Sequence, residues 1–132
     1  MSAVEIPASH RDLVDAAGVA SLSTIGANGY PQVTAIWYLA EGDTLATSLT
    51  LGRQKTKNLL RDPHATLFFI DPTNPFRTLE IRGDVTITHD DADLSFLHKI
   101  FGHYGANPEA AGVPLADRVV ARLTPVRVIT NG

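Results

Sequence analysis

Short runs rich in β-branched and aromatic residues, divided by turn chemistry, constrain this chain most. Residues 19–25 and 30–39 read as two strands. Between them, Gly26-Ala27-Asn28-Gly29 offers residue types that tolerate positive φ, as a tight hairpin requires. Pro31 fits there near a strand start or on an edge. Glu41-Gly42-Asp43 is a second hairpin turn, and Thr44–Thr50 a third strand. Residues 64–70, 77–88 and 119–130 supply three more, with Gly83 at a bulge or bend and Pro125 interrupting the last. Helices punctuate the series. Ser9 reads as the cap of a short one bearing Leu13, Val14 and Ala17, with Gly18 as its stop. Residues 53–60 break the strand pattern and end near Asp62-Pro63. Asp90 reads as the cap of a third helix, with Leu94, Leu97, His98 and Phe101 on one face. Residues 105–114 read as a loop. The pattern predicts a mainly β fold: a six-stranded antiparallel split β-barrel with flanking short helices, one domain over residues 1–132. A Rossmann sheet would need regular strand–helix alternation, and neither G-x-G-x-x-G nor a Walker A sequence is present.

Composition narrows function. The 132 residues are 44% hydrophobic and 19% charged, a globular mix. A net charge of -3 gives no global attraction for nucleic acid, so any anion site must be a local cluster. The absence of cysteine removes disulfides and thiolate nucleophiles and fits a reducing cytoplasm. Residues 1–10 lack an apolar targeting core, and apolar runs such as 65–70 are too short to span a bilayer.

One segment stands apart. Four of the eleven Lys and Arg residues (Arg53, Lys55, Lys57 and Arg61) lie in residues 50–63 of an otherwise acidic chain. The segment leaves a strand through Gly52 and opens a helix, whose free N–H groups and dipole suit a phosphate. A solvated basic helix face is the plain alternative. Nucleic-acid binding would call for interleaved aromatics, which are missing. No pair among His10, His64, His89, His98 and His103 has metal-binding spacing, and His98 reads as a hydrogen-bonded packing residue. Ser21, Ser23 and Ser48 have no nucleophile elbow around them. Asp90, Asp91 and Asp93 are explained by helix capping. Trp37, the sole tryptophan, suits either packing or stacking beside a planar ring, and Tyr104 shares that ambiguity.

Taken in order, the segments at residues 20–25, 31–33, 53–59, 61–63, 79–83 and 118–125 resemble the flavin/deazaflavin oxidoreductase superfamily. These are split barrels like pyridoxamine 5'-phosphate oxidase, and the resemblance is to the F-420-dependent branch. It implies a homodimer with two cofactor sites at the subunit interface. By resemblance the cofactor phosphate falls on Arg53, Lys55 and Lys57, with Thr56 and Asn58 of the same helix among the contacts. The ring system would lie along Val33, Thr34, Ala35 and Ile36 and beside Ser48 and Leu49. Where the oxidases place a flavin-touching glutamine, this chain has Thr78. It also lacks their second-strand Arg/Lys clamp and their arginine-bearing tail, which argues against vitamin B6 oxidase activity. The implied activity is hydride transfer between reduced F-420 and a small-molecule substrate. FMN is the alternative cofactor, and a non-catalytic flavin or deazaflavin carrier the alternative role; a heme-binding relative ranks third. Lys57 and Arg61, beyond the phosphate clamp, are spare cations for the carboxylate tail of F-420. No general acid, metal site or membrane partner is expected.

Overall fold

The computed structural model describes residues 4–132. The lack of a targeting segment in residues 1–10 falls partly on residues 1–3, outside the described residues. β1 (Ala20–Ile25) and β2 (Pro31–Ile36) form the expected hairpin, with Ala20 opposite Ile36 and Ile25 opposite Pro31. Its turn closes through Gly26 N–H donating to Tyr30 O at 2.9 Å, and Gly29 takes φ 87°, a value glycine adopts without steric cost. β3 (Leu39–Glu41), β4 (Thr44–Thr50), β5 (His64–Asp71), β6 (Asn74–His89) and β7 (Arg118–Asn131) complete a single antiparallel sheet. Its order is β2-β1-β5-β6-β7-β4-β3.

The sheet therefore has seven strands, where the sequence predicts six. The run at residues 30–39 breaks at Trp37-Tyr38 because these two residues are held by side chains instead of a ladder. Tyr104 Oη accepts from Tyr38 N–H at 3.0 Å, and Thr47 Oγ1 donates to Trp37 O at 2.8 Å. The Tyr38 ring is buried and its hydroxyl donates to Leu13 O at 2.8 Å. The chain thus crosses from one end of the sheet to the other, which curls the sheet and leaves β2 and β4 as the two sides of an opening.

Inward residues alternate along the strands and fill the curl. Ala65, Leu67 and Phe69 of β5 meet Leu79 and Ile81 of β6, Leu22 of β1, and Leu45 and Leu123 from the far side. Each large apolar chain buried this way contributes roughly 1.5–3 kcal/mol. The long β6 bends at Gly83, where the register against β7 shifts.

The helices differ from expectation in detail. α1 (Arg11–Asp15) follows a single 3-10 turn, and Pro7 rather than Ser9 occupies the cap position. Ser9 Oγ instead pairs with His10 Nδ1 at 2.8 Å. α2 (Gln54–Arg61) lies where the sequence predicts a helix and packs against β1. α3 (Ser95–His103) begins later than predicted, after Leu94 in the left-handed region at φ 55°. Asp90 still caps it, accepting from Phe96 N–H at 3.2 Å and Leu97 N–H at 3.0 Å. The late start moves the buried face to Phe96, Leu97 and Ile100, leaving Leu94, His98 and Phe101 only half-buried. The expected loop at 105–114 holds α4 (Pro108–Ala111), capped by Asn107 Oδ1 accepting from Ala110 N–H at 3.0 Å. Among the described residues no helix is long and apolar enough to cross a membrane.

Candidate functional site

The basic segment is fixed by its own polar residues. Arg53, extended at φ −73°, ψ 144°, precedes the first turn of α2. Thr56 Oγ1 donates back to Thr50 O at 2.7 Å, joining helix to strand. Asn58 is buried; its Nδ2 donates to Thr24 Oγ1 at 3.1 Å and Gln32 Oε1 at 3.2 Å, while its Oδ1 accepts from Gln54 and Arg61. Leu59 enters the core. With Thr56, Asn58 and Leu59 turned inward, the start of α2 faces the opening between β2 and β4.

Lys55 is aimed into that opening. It is only 6% exposed, and its Nζ donates to Thr34 Oγ1 at 3.1 Å. A cleft of about 270 Å³ lies beyond it, lined by Ala35, Ile36 and Trp37 on one side and by Ser48, Leu49 and Thr50 on the other. Arg53 and Arg118 line it too, with Phe101 and Pro114 at its margin. Arg118 reaches the cleft because β7 pairs Arg118 with Thr50. Its Nε donates to Pro114 O at 2.8 Å.

The electrostatics are one-sided. Burial lowers the Lys55 pKa, and neighbouring Arg53 lowers it further. Burial and Arg53 likewise lower that of Arg118, with Asp90 opposing. Among the described residues no salt bridge joins Arg53, Lys55 or Arg118 to an acid. Arg53 repels both Lys55 and Arg118, and three cations lining one partly buried cleft offer a place for an anion. The lining holds no carboxylate and no imidazole. Beside the cations stands a rigid aromatic wall. Trp37 stacks on Tyr104 at 4.2 Å and 7°, and meets Phe101 edge-on at 5.1 Å. Tyr104 Oη is fixed by Tyr38 N–H and by the carbonyl of Gly18 at 2.7 Å. Trp37 remains 36% exposed, so its packing role and its place in the cleft coexist.

The structure brings Ala35, Ile36, Ser48, Leu49, Arg53 and Lys55 to one cleft, with Thr34 attached through Lys55. Val33, on the same face of β2 as Ala35, is exposed and lies outside the lining. Thr56 and Asn58 lie behind the cleft with their side chains bonded internally. Lys57 is exposed on α2, outside the lining. Arg61 is tied to Ile25 O and to Asn58 Oδ1. Thr78 sits between Ile70 and Asn131, also away from the lining. His98 is hydrogen-bonded, to Leu94 O at 2.9 Å and to Glu109 at 2.7 Å. Sequence reasoning missed Arg118 as a site residue; only the β4–β7 register places it beside Arg53.

A curled antiparallel sheet whose opening carries a cationic cleft and an aromatic wall defines a split-barrel protein. The pyridoxamine 5'-phosphate oxidase model matches residues 6–132, and the chain belongs to that family. It is similar to an F420 reductase of known structure, with 31% identity over 94% of this chain and 98% of that one, at a TM-score of 0.83. A conserved hypothetical protein from Mycobacterium tuberculosis shares the fold at a TM-score of 0.77, with 24% identity over 98% of this chain and 86% of that one. So does a heme-binding protein from Mycobacterium smegmatis, at 0.74, with 20% identity over 98% of this chain and 56% of that longer one. Among curated proteins nothing matches.

Proposed function

We propose that this protein is an F-420-dependent oxidoreductase, one domain working as a cytoplasmic homodimer with the cofactor between subunits. The observation that carries the reading is the cleft in which Arg53 and Lys55 stand unneutralised beside the Trp37–Tyr104 stack. The 31% identity to an F420 reductase supports it. Arg53 and Lys55 hold the phosphate at the start of α2, where the free N–H groups of the first turn add to the field. Backbone from Val33 to Ile36 and the Ser48-Leu49 edge orient the ring system. Lys57, exposed one turn on, meets the carboxylate tail. Thr56 and Asn58 act from behind by fixing the helix, and Thr78 has no part in the cleft of its own subunit. When bound, F-420 supplies the hydride chemistry, and the protein supplies binding and orientation.

FMN is the second reading, favoured by the family match over residues 6–132. The F-420 tail contacts are exposed, each worth about 0–1 kcal/mol, so the preference for F-420 is modest and weakens with salt. Fluorescence titration with F-420 and FMN at low and moderate salt tests the assignment. F-420 is expected to bind more tightly; tighter FMN binding at both salts overturns it. Binding without turnover of reduced cofactor against a substrate panel would move the protein to a carrier role, and heme binding alone to the third reading.

A further inference from the structure

We propose that Arg118 is a direct anion ligand, facing Lys55 across the cleft, and that the pair makes the site selective for a ligand group carrying two negative charges. The inference deepens the cofactor reading and rests on it only for the ligand's name. Lys55 belongs to the β2 rim, through Thr34. Arg118 belongs to the β4–β7 rim, opposite Thr50, with Nη1 3.5 Å from Ser48 Oγ. β2 and β4 are not neighbours in the sheet, so the two cations approach the opening from separate walls. Arg53, two residues before Lys55, lines the same cleft.

The guanidinium of Arg118 is held for this task. Its Nε is committed to Pro114 O, which leaves the Nη edge toward the cleft. Asp90 is the acid acting on Arg118, yet its carboxylate is engaged by the N–H groups of Asp91, Phe96 and Leu97. A ligand with one negative charge would leave most of this repulsion in place. A phosphomonoester dianion, or a phosphodiester followed by a carboxylate, neutralises both rims.

Calorimetry with inorganic pyrophosphate as the probe tests the proposal on the whole chain. The variants are Arg118→Gln and Arg118→Lys, with thermal unfolding as the check on folding. Arg118→Gln should weaken pyrophosphate roughly 10- to 100-fold, as expected for one lost charge-assisted contact, and Arg118→Lys should recover most of that loss. Equal affinity in Arg118→Gln and wild type overturns the proposal. So does absence of pyrophosphate binding by wild type, or an equal loss in Arg118→Lys, which would mark a role in holding the Pro114 loop. Titrating the same proteins with F-420 and FMN separates the two readings. If pyrophosphate binding depends on Arg118 while neither cofactor binds, the proposed function fails and this inference stands.

Discussion

Lys55 carries the most consequence of any single residue. A charge-assisted contact is worth about 1.5–3 kcal/mol, so Lys55→Ala should lose roughly that much cofactor affinity, whereas Lys99→Ala, on α3, should lose none. Equal affinities in calorimetry would return the segment to a solvated surface. The lowered Lys55 pKa adds a pH signature. Anion binding needs the ammonium, so affinity should fall as pH rises through that lowered value, and Lys55→Ala should flatten the fall. Stability runs the other way. Between the lowered value and the ordinary 10.5 the unfolded chain holds a proton that the folded chain does not, so folding gains as pH rises through that window. Arg53 and Lys55 were legible because they cluster along a short stretch of an acidic chain. Arg118 was not, because it lies 65 positions after Arg53 and the fold, rather than spacing, sets it beside them.

Strands and their turns were the legible elements, since alternation and glycine chemistry are local. The bulge anticipated at Gly83 is real, and its reason is contact: an added Cβ would lie 2.3 Å from Thr124 O and 2.7 Å from Leu123 Cδ2. Gly83→Ala should therefore destabilise the protein by about 1–3 kcal/mol in urea unfolding, with β6 and β7 forced apart. A neutral result would mean the bulge absorbs a methyl group. The break at Trp37-Tyr38 was invisible because its cause, the Tyr104 hydroxyl, lies 66 residues away. The start of α3 was misplaced for a related reason: Asp90 caps from six and seven residues upstream, around a left-handed Leu94. α3 and α4 are tied by His98 and Glu109. The Leu94 carbonyl, followed by Glu109, raises the His98 pKa above 6.5. That contribution is fully present below the unfolded value and is lost as pH rises through the raised one. Urea midpoints across that range should decline in wild type, and the decline should be smaller in His98→Gln.

At the scale of the whole molecule, the proposed dimer needs an uncovered surface, and the outer face of the sheet offers one. The register places Val33 opposite Ser23, Ser23 opposite Thr66, and Thr66 opposite Arg82. The adjacent row runs from Ala35 through Ser21 and Phe68 to Glu80. Ile25 and Val126 border a depression on this face, and Val33, Ile25 and Val126 are 63%, 37% and 57% exposed. Apolar residues spread over one uncovered sheet face are the surface a second copy would bury. Ala35 belongs both to this face and to the cleft lining, so a partner seated here would border the anion site. Obligate interfaces bury more than about 2,000 Å² in total, which leaves no monomer at micromolar concentration. Light scattering should give twice the mass of one chain. Val33→Arg sharpens the test, because the side chain is exposed in one subunit and its replacement costs little folding energy there. In a dimer built on this face the same change buries an unpaired charge, so the variant should be monomeric and should bind cofactor more weakly than wild type. A monomeric wild type would remove the interfacial site. A dimeric Val33→Arg with undiminished cofactor affinity would place the interface elsewhere.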